Sequence, residues 1–523
     1  MISALTYSFR LLRANYVFAR EGVFSQVDPT LLPIPARVGL RLARLIERPS
    51  KASEAGKIAA ALTRLGPTYV KLGQFLATRP DVVGVTVAQE LESLQDRMPP
   101  FPQDEAIATI ERAFGKPLKD VFASLGPAVA AASIAQVHRA EVHTADGLKQ
   151  VAVKVLRPGV ERRFKTDQDA FAFAARTAES FSAEARRLRL VETAATMRRS
   201  VALEMDLRLE AAALSEMAEN TKDDPDFRVP TIDWDRTAKE VLTLEWIDGT
   251  LLSNRAALEA EGYDLRQLAR AVIQSFLRHA LRDGFFHADM HPGNLFVDRE
   301  GRIVAVDFGI MGRLGPKERR FLAEILYGFI TRNYRRTAEV HFEAGYVPAH
   351  HSVDDFAQAI RAIGEPIHKR SADEISMAKL LMLLFEVTGL FDMRTRPELL
   401  LLQKTMVVVE GVARSLDPKL DMWTTAEPVV REWIERHLGP VGLVSGAVEG
   451  TVEIGRFMGQ VPGLLSRGAV LIEQLDAATR NGLVLAPETV ENIGRAEARR
   501  NRWTSIALWV IAALLIYIVW LIK

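Results

Sequence analysis

Apolar residues recur with a helical period over the first hundred positions, and the period then changes. Between Met1 and Val23, Leu5, Phe9, Leu12 and Tyr16 form one stripe flanked by Arg10, Arg13 and Arg20, which predicts an amphipathic helix. Such a helix either packs on its own domain or lies on a membrane surface, and packing is the preferred expectation. A secretory signal is excluded, because no charged region precedes the stripe and the arginines interrupt it. Gly66-Pro67-Thr68 opens a second helix carrying Tyr69, Val70, Leu72, Phe75 and Leu76, closed by Pro80, and Gln103–Phe114 reads as another.

The pattern then alternates. Val137–Val142 and Gln150–Leu156 read as strands around a turn at Asp146-Gly147, and Val229–Ile232 and Glu240–Trp246 read as a second pair. One long helix is expected from about Val191 to Asn220 and another over Leu265–Arg282. A short hairpin follows, with strands Leu295–Val297 and Ile303–Val306 around Asp298–Gly301. From Pro316 to about Leu438 the chain reads as helical, with the Leu380–Leu390 run assigned to core and Gly439-Pro440 closing it. Residues 441–495 hold Gly-interrupted apolar pieces able to lie on a membrane.

The tail differs from everything before it. Trp503–Ile522 runs 20 residues without a charge, which at about 1.5 Å per residue spans a hydrocarbon core of roughly 30 Å once. Arg495, Arg499, Arg500 and Arg502 precede it and only Lys523 follows, so the positive-inside rule places the body on the cytoplasmic side.

Composition narrows the field. The chain has 523 residues, 25% of them charged, and a net charge of +1, so nucleic acid is not an expected partner. The absence of cysteine excludes disulfides, thiolate metal sites and cysteine nucleophiles. No Rossmann fingerprint, flavin motif or His/Cys metal-ligand cluster is visible in the sequence, so oxygen chemistry has no visible machinery.

The candidate chemistry lies in His287-Ala288-Asp289-Met290-His291-Pro292-Gly293-Asn294, followed after the hairpin by Asp307-Phe308-Gly309. A carboxylate and an amide five apart, with a second carboxylate returned by a hairpin, is the arrangement that holds Mg²⁺ on the phosphates of ATP in kinase-like folds. Asn294 and Asp307 would hold the metal, and Asp289 would orient a hydroxyl or a water. Val151-Ala152-Val153-Lys154 fits the buried strand whose lysine reaches the α/β-phosphates. Such a lysine needs a carboxylate from the next long helix. Glu210 is the first choice, with Glu204 left open because residues six apart on one helix cannot both face Lys154. Ala130-Ala131-Ala132-Ser133-Ile134 stands where a phosphate loop would be, with alanine restricting the backbone that glycine would free. Glu245 falls where a kinase hinge offers backbone groups to adenine. Ala288 replaces the arginine that reads a phosphorylated activation loop, and only Ile310–Leu314 separate the site from a helix start at Gly315-Pro316. A protein substrate is therefore not expected.

Together these residues resemble the UbiB (AarF/UbiB) family of atypical kinase-like proteins. The resemblance rests on HxDxHPGN before VDFG, on Lys71-Leu72-Gly73-Gln74 followed by Leu94-Gln95-Asp96 and a Pro99-Pro100 break, on the Ala-rich loop, and on Glu204 and Asp206 as an ExD pair. It implies an extension that folds over the nucleotide site with Lys71 and Gln74 turned inward. It also implies support of ubiquinone or other prenylquinone biosynthesis, with ATP and Mg²⁺ as cofactors. The implied partners are a prenylated quinone precursor or other lipid, the membrane, and other quinone-biosynthesis proteins. The expected fold is α+β: a two-lobe kinase-like body with a small β-sheet N-lobe and a helical C-lobe. Its parts are an N-terminal helical extension carrying the Lys71–Gln74 motif (1–118), N-lobe (119–249), C-lobe (250–440), amphipathic linker helices (441–502) and one transmembrane helix (503–522) at the inner membrane. A lipid-binding scaffold that uses nucleotide only as a conformational switch is the alternative.

Overall fold

The computed structural model describes residues 2–26, 41, 44–48, 54–77, 83, 87, 91, 98–181, 186, 189–367, 387, 389–393 and 397–438. Helices α1 (Ile2–Arg20), α2 (Glu54–Leu65) and α3 (Pro67–Ala77) form the N-terminal extension. Leu62, Leu65, Tyr69, Ala77 and Ala14 make its core, against which Val17 and Phe18 of α1 pack. The expected helix α1 is present, but it docks through a different face. Phe9, Leu12 and Tyr16 are 72%, 66% and 48% exposed, whereas the small residues Ala14 and Ala19 are buried and allow close approach. Arg10 reaches back to form an ion pair with Asp167, whose other oxygen accepts from Thr68 Oγ1 at 2.8 Å.

Helices α4 (Gln103–Phe114) and α5 (Leu118–Val121) lead into the first sheet. It comprises β1 (Ser124–Ala131), β2 (Ala135–Thr144), β3 (Gly147–Leu156) and, after a crossover, β5 (Val241–Glu245), all antiparallel. The strand β1 is an element that the alternation does not signal, because an Ala/Gly/Pro sequence has little β-propensity and acquires its form from pairing with β2. Val151, Val153, Val155 and Val241 point into a core closed by Ile110 and Phe122.

Helix α6 (Val160–Phe181) connects this sheet to α7 (Leu190–Glu204) and α8 (Leu207–Asn220). The single helix expected over Val191–Asn220 is thus two, broken at Met205 and Asp206. Asp206 explains the break: its side chain accepts from the Arg208 N–H as the N-cap of α8, a local bond that competes with continuing the helix.

A second sheet, β4 (Phe227–Arg228), β9 (Ile303–Ala305), β8 (Leu295–Asp298) and β6 (Gly249–Leu251), underlies the candidate loop. Helices α9 (Arg255–Ala260) and α10 (Leu265–Arg278) follow β6, and one π-helical turn, His279–Asp283, leads to β7 (Phe285–His287). Gly284 makes that corner at φ +64°, where a Cβ would stand 2.5 Å from the Leu314 carbonyl. The turn is held by the buried Asp224, which takes His279 Nε2 at 3.1 Å and Arg282 Nη1 at 2.6 Å. Burial pushes the Asp224 carboxyl up, but these two partners bring it down to about 2, from an ordinary value of 3.8. Its folded pKa is therefore the lower one, so its stabilisation is complete above about pH 4 and fades as pH falls towards 2. Thermal melts should show Asp224→Asn less stable than wild type at pH 7, by a margin that narrows in acid.

Strand β10 (Met311–Arg313) pairs with β7. Beyond it the described chain is helical: α11 (Pro316–Ile330), α12 (Tyr334–Glu343), α13 (Val353–Ile367), α14 (Pro397–Leu416) and α15 (Met422–Leu438). Among the described residues no helix is long and apolar enough to cross a membrane. Most of the Leu380–Leu390 run and all of residues 441–522, including the tail read as a membrane span, lie outside the described residues.

Candidate active site

Alternation along β3 turns Val151, Val153 and Val155 into the core and Lys154 to the opposite face. There Lys154 Nζ lies 2.7 and 3.0 Å from the two oxygens of Glu210, and 3.4 Å from Asp307 Oδ1. Glu210 sits in the first turn of α8 and also accepts from the Phe308 N–H at 3.3 Å. Burial works against the ammonium, yet the two carboxylates flanking it raise the Lys154 pKa. Burial raises the Glu210 carboxyl as well. With an ammonium 2.7 Å from Glu210 and a second carboxylate at 3.4 Å, the pair is charged.

The break between α7 and α8 gives the two acids separate partners. Glu204, at the end of α7, pairs with Lys71 Nζ of α3 at 2.8 Å, while Glu210 keeps Lys154. The geometric objection raised for a single helix therefore does not apply. Asp206 carries the cap and a bidentate contact to Arg208, at 2.9 and 2.6 Å. Gly73 is buried in α3 and Gln74 is half-buried. Lys71 contributes to the field at Asp307 as well. Burial would raise that carboxyl, but Lys154, the Gly309 N–H at 3.0 Å, His287 and Lys71 together hold it at about 2.

The loop from β7 to β8 is fixed by its own polar atoms. The Asp289 N–H donates to His287 Nδ1 at 3.0 Å, and burial lowers the pKa of His287 against the pull of Asp289 and Asp307. The Ala288 N–H donates to the Ile310 carbonyl at 3.0 Å, and its own carbonyl accepts from Thr405 of α14 at 3.2 Å. Asn294 Nδ2 lies 3.2 Å from Asp289 Oδ2, and the Asn294 carbonyl accepts from the Val306 N–H at 3.1 Å. Asp289 and Asn294 are thus hydrogen-bonded to each other, and the Val306 bond brings the residue before Asp307 to the same end of the β8–β9 hairpin. The roles of His287 and Thr405 in holding it carried no legible sequence signal beyond the motif itself.

Two expected contacts take another form. Ala130 and Ala131 belong to the β1 ladder opposite Val137 and Gln136. Only Ala132 to Ile134 turn, with the Ala132 N–H donating to the Ala135 carbonyl at 2.8 Å. Arg157 pins this turn, donating to the Ala132 carbonyl at 3.0 Å and to Pro99 at 2.7 Å. Ser133 is fully buried and Ile134 is buried. Glu245 is likewise committed to structure. Its N–H donates to the Thr231 carbonyl at 2.8 Å, and its carboxylate takes Arg228 at 3.1 Å, which also binds Asp298. It is a corner pin between the sheets, because Arg228 needs two acids there.

The donor set is a carboxylate and an amide oxygen beside an ammonium, hard ligands that suit Mg²⁺ shared with phosphate oxygens. Removing one member of a buried pair leaves an uncompensated charge. Glu210→Gln should therefore lower stability by about 3 kcal/mol in denaturant melts, near the bottom of the usual range because Asp307 still faces Lys154.

A family model described as the ABC1 atypical kinase-like domain matches residues 93–341, and the UbiB helical domain matches 360–421. The fold and cleft are those of an atypical kinase-like domain. A Marinobacter nauticus protein called "Probable protein kinase UbiB" is 40% identical over 442 residues, 83% of this chain and 80% of that protein. Its namesake from Azotobacter vinelandii is 39% identical over 85% of this chain and 84% of its own. The chain belongs to the UbiB family. A Mycobacterium tuberculosis protein solved in complex with erythromycin is 24% identical, with a TM-score of 0.49 over 76% of this chain and 98% of its own.

Proposed function

We propose that the chain is a Mg²⁺-dependent ATPase or small-molecule kinase that supports ubiquinone, or other prenylquinone, biosynthesis at the membrane. The observation that carries this reading is the closed Lys154–Glu210 pair with Asp307 at 3.4 Å, beside the Asp289–Asn294 group. Lys154 would meet the α/β-phosphates of ATP, and Asn294 and Asp307 would hold the metal, which supplies charge neutralisation at the phosphates. Asp289, exposed on its loop, would accept the proton of a hydroxyl or water.

The acceptor is read as small because β10 follows Gly309 at once and α11 starts at Pro316. Six residues, half of them paired with β7, offer no shelf for a peptide. The relatives' name speaks of protein kinases, and that word comes to this chain only as the phosphoryl-transfer class. The uncharged run Trp503–Ile522, with Arg495, Arg499, Arg500 and Arg502 before it, supports a single inner-membrane anchor with the body on the cytoplasmic side. A prenylated quinone precursor or other lipid as ligand, and other quinone-biosynthesis proteins as neighbours, are what the family resemblance implies.

A lipid-binding scaffold switched by nucleotide is the second reading. It is favoured by the Lys71–Glu204 pair, which joins the extension to the helix leading into Glu210. ATP turnover by the purified full chain, with and without a prenylphenol and liposomes, separates them. Turnover that rises with both additions supports the first reading, and nucleotide binding without turnover under every condition supports the second.

A further inference from the structure

We propose that His350, His351 and Asp392 form a binding site for one divalent transition-metal ion of the zinc class, clasping the α12–α13 loop to the turn after Leu390. His350 and His351 precede α13. Asp392 comes 41 positions after His351, so no sequence motif joins them. His350 Nε2 and His351 Nε2 lie 3.9 and 3.4 Å from Asp392 Oδ2, and the three ligand atoms fall within 4.8 Å of one another. Tetrahedral zinc with bonds of about 2.0–2.2 Å sets its ligands roughly 3.4 Å apart, so a small rotation of the exposed His350 ring completes the set.

Three further observations separate this cluster from a casual surface ion pair. His351 Nε2 is closed off from solvent and has no hydrogen-bond partner among the described residues, although the carboxylate is 3.4 Å away. A buried polar atom left in that state calls for an explanation, and a ligand position supplies one. Asp392 occupies the left-handed region at φ +48°, one of three non-glycine residues to do so among the described residues. An exposed pair worth under about 1 kcal/mol gives no reason for such a backbone. Finally, Phe391 is buried with its ring 5.3 Å from His351 and 4.9 Å from Phe356, so the hydrophobic core fixes where Asp392 points.

The chemistry selects the ion. Two imidazole nitrogens and a carboxylate oxygen suit zinc and its neighbours, whereas Mg²⁺ and Ca²⁺ prefer oxygen sets. The His350 and Asp392 side chains are 66% and 70% exposed, which leaves a path for the ion and a fourth position for water. None of the three residues belongs to an element carrying Lys154, Asp289 or Asp307. The stretch 352–391 begins and ends at the clasp and includes α13, so the ion would close that loop and secure part of the helical domain.

The test is a titration of ZnCl₂ into the full chain, purified without a histidine tag and followed by calorimetry and thermal melting. One equivalent should bind and raise Tm, and Co²⁺ in its place should give the visible absorption of a tetrahedral site. Losing even an outer partner of a metal costs about 10–100-fold in affinity, so His350→Ala and Asp392→Asn should each weaken binding by at least ~100-fold. Both residues are exposed and Asn tolerates the left-handed backbone, so neither variant should change the metal-free Tm or ATP turnover. Asp307→Asn should retain the zinc equivalent. No binding by wild type, equal binding by both clasp variants, or loss of the equivalent in Asp307→Asn would each overturn the proposal.

Discussion

Asp307→Asn is expected to weaken Mg-nucleotide binding by at least about 30-fold: its side chain is 45% exposed in the free protein but would be enclosed by metal and phosphates, and truncating one partner of such an enclosed charge pair costs on the order of 2–5 kcal/mol. The carboxyl is held at about 2 by Lys154, Gly309, His287 and Lys71, so it is ionised throughout the working pH range and would supply charge to a bound metal. The amide keeps the shape and the backbone corner at Gly309 but not that charge. Lys154 also loses the acid 3.4 Å away while retaining Glu210 at 2.7 Å, so the variant should remain folded. A fluorescent ATP analogue titrated in the presence of Mg²⁺ measures the effect. Unchanged affinity in a folded variant would remove Asp307 from the metal site.

Asp289→Asn should act on a different step. Its side chain is exposed and accepts from Asn294 Nδ2 at 3.2 Å, so an amide there should leave nucleotide affinity nearly intact. A positioned general base contributes about 10²–10⁴-fold to rate, and turnover should fall by that much. Turnover that persists undiminished would make Asp289 a loop-shaping residue and favour the scaffold reading.

The parts of this site visible in the sequence are those whose geometry is local. The spacing of Asp289, Asn294 and Asp307 implies a hairpin, and β8 and β9 supply it. The alternation of Val151, Val153 and Val155 places Lys154 on the opposite face, where it is found. Glu210 is the partner of Lys154 that the spacing suggests, but the periodicity over Val191–Asn220 reads as one helix where the fold has α7 and α8. Asp206 was the missed signal, since an Asp before an apolar run is an N-cap candidate.

What failed to show depends on contacts distant in the chain. The docking face of α1 is decided by Asp167, 157 positions away from Arg10, and no periodicity within α1 can report that. Strand β1 owes its form to β2, and Glu245 is a corner pin because Arg228 sits between it and Asp298. The His350, His351 and Asp392 cluster is invisible for the same reason.

The central claim is that the Lys154–Glu210–Asp307 cleft binds Mg-ATP. Calorimetric titration of ATP into the purified full chain, with Mg²⁺ and again with excess EDTA, tests it most directly. The account predicts one equivalent of ATP bound with Mg²⁺ present and affinity sharply reduced without it. No binding, or binding of equal strength in EDTA, would contradict it.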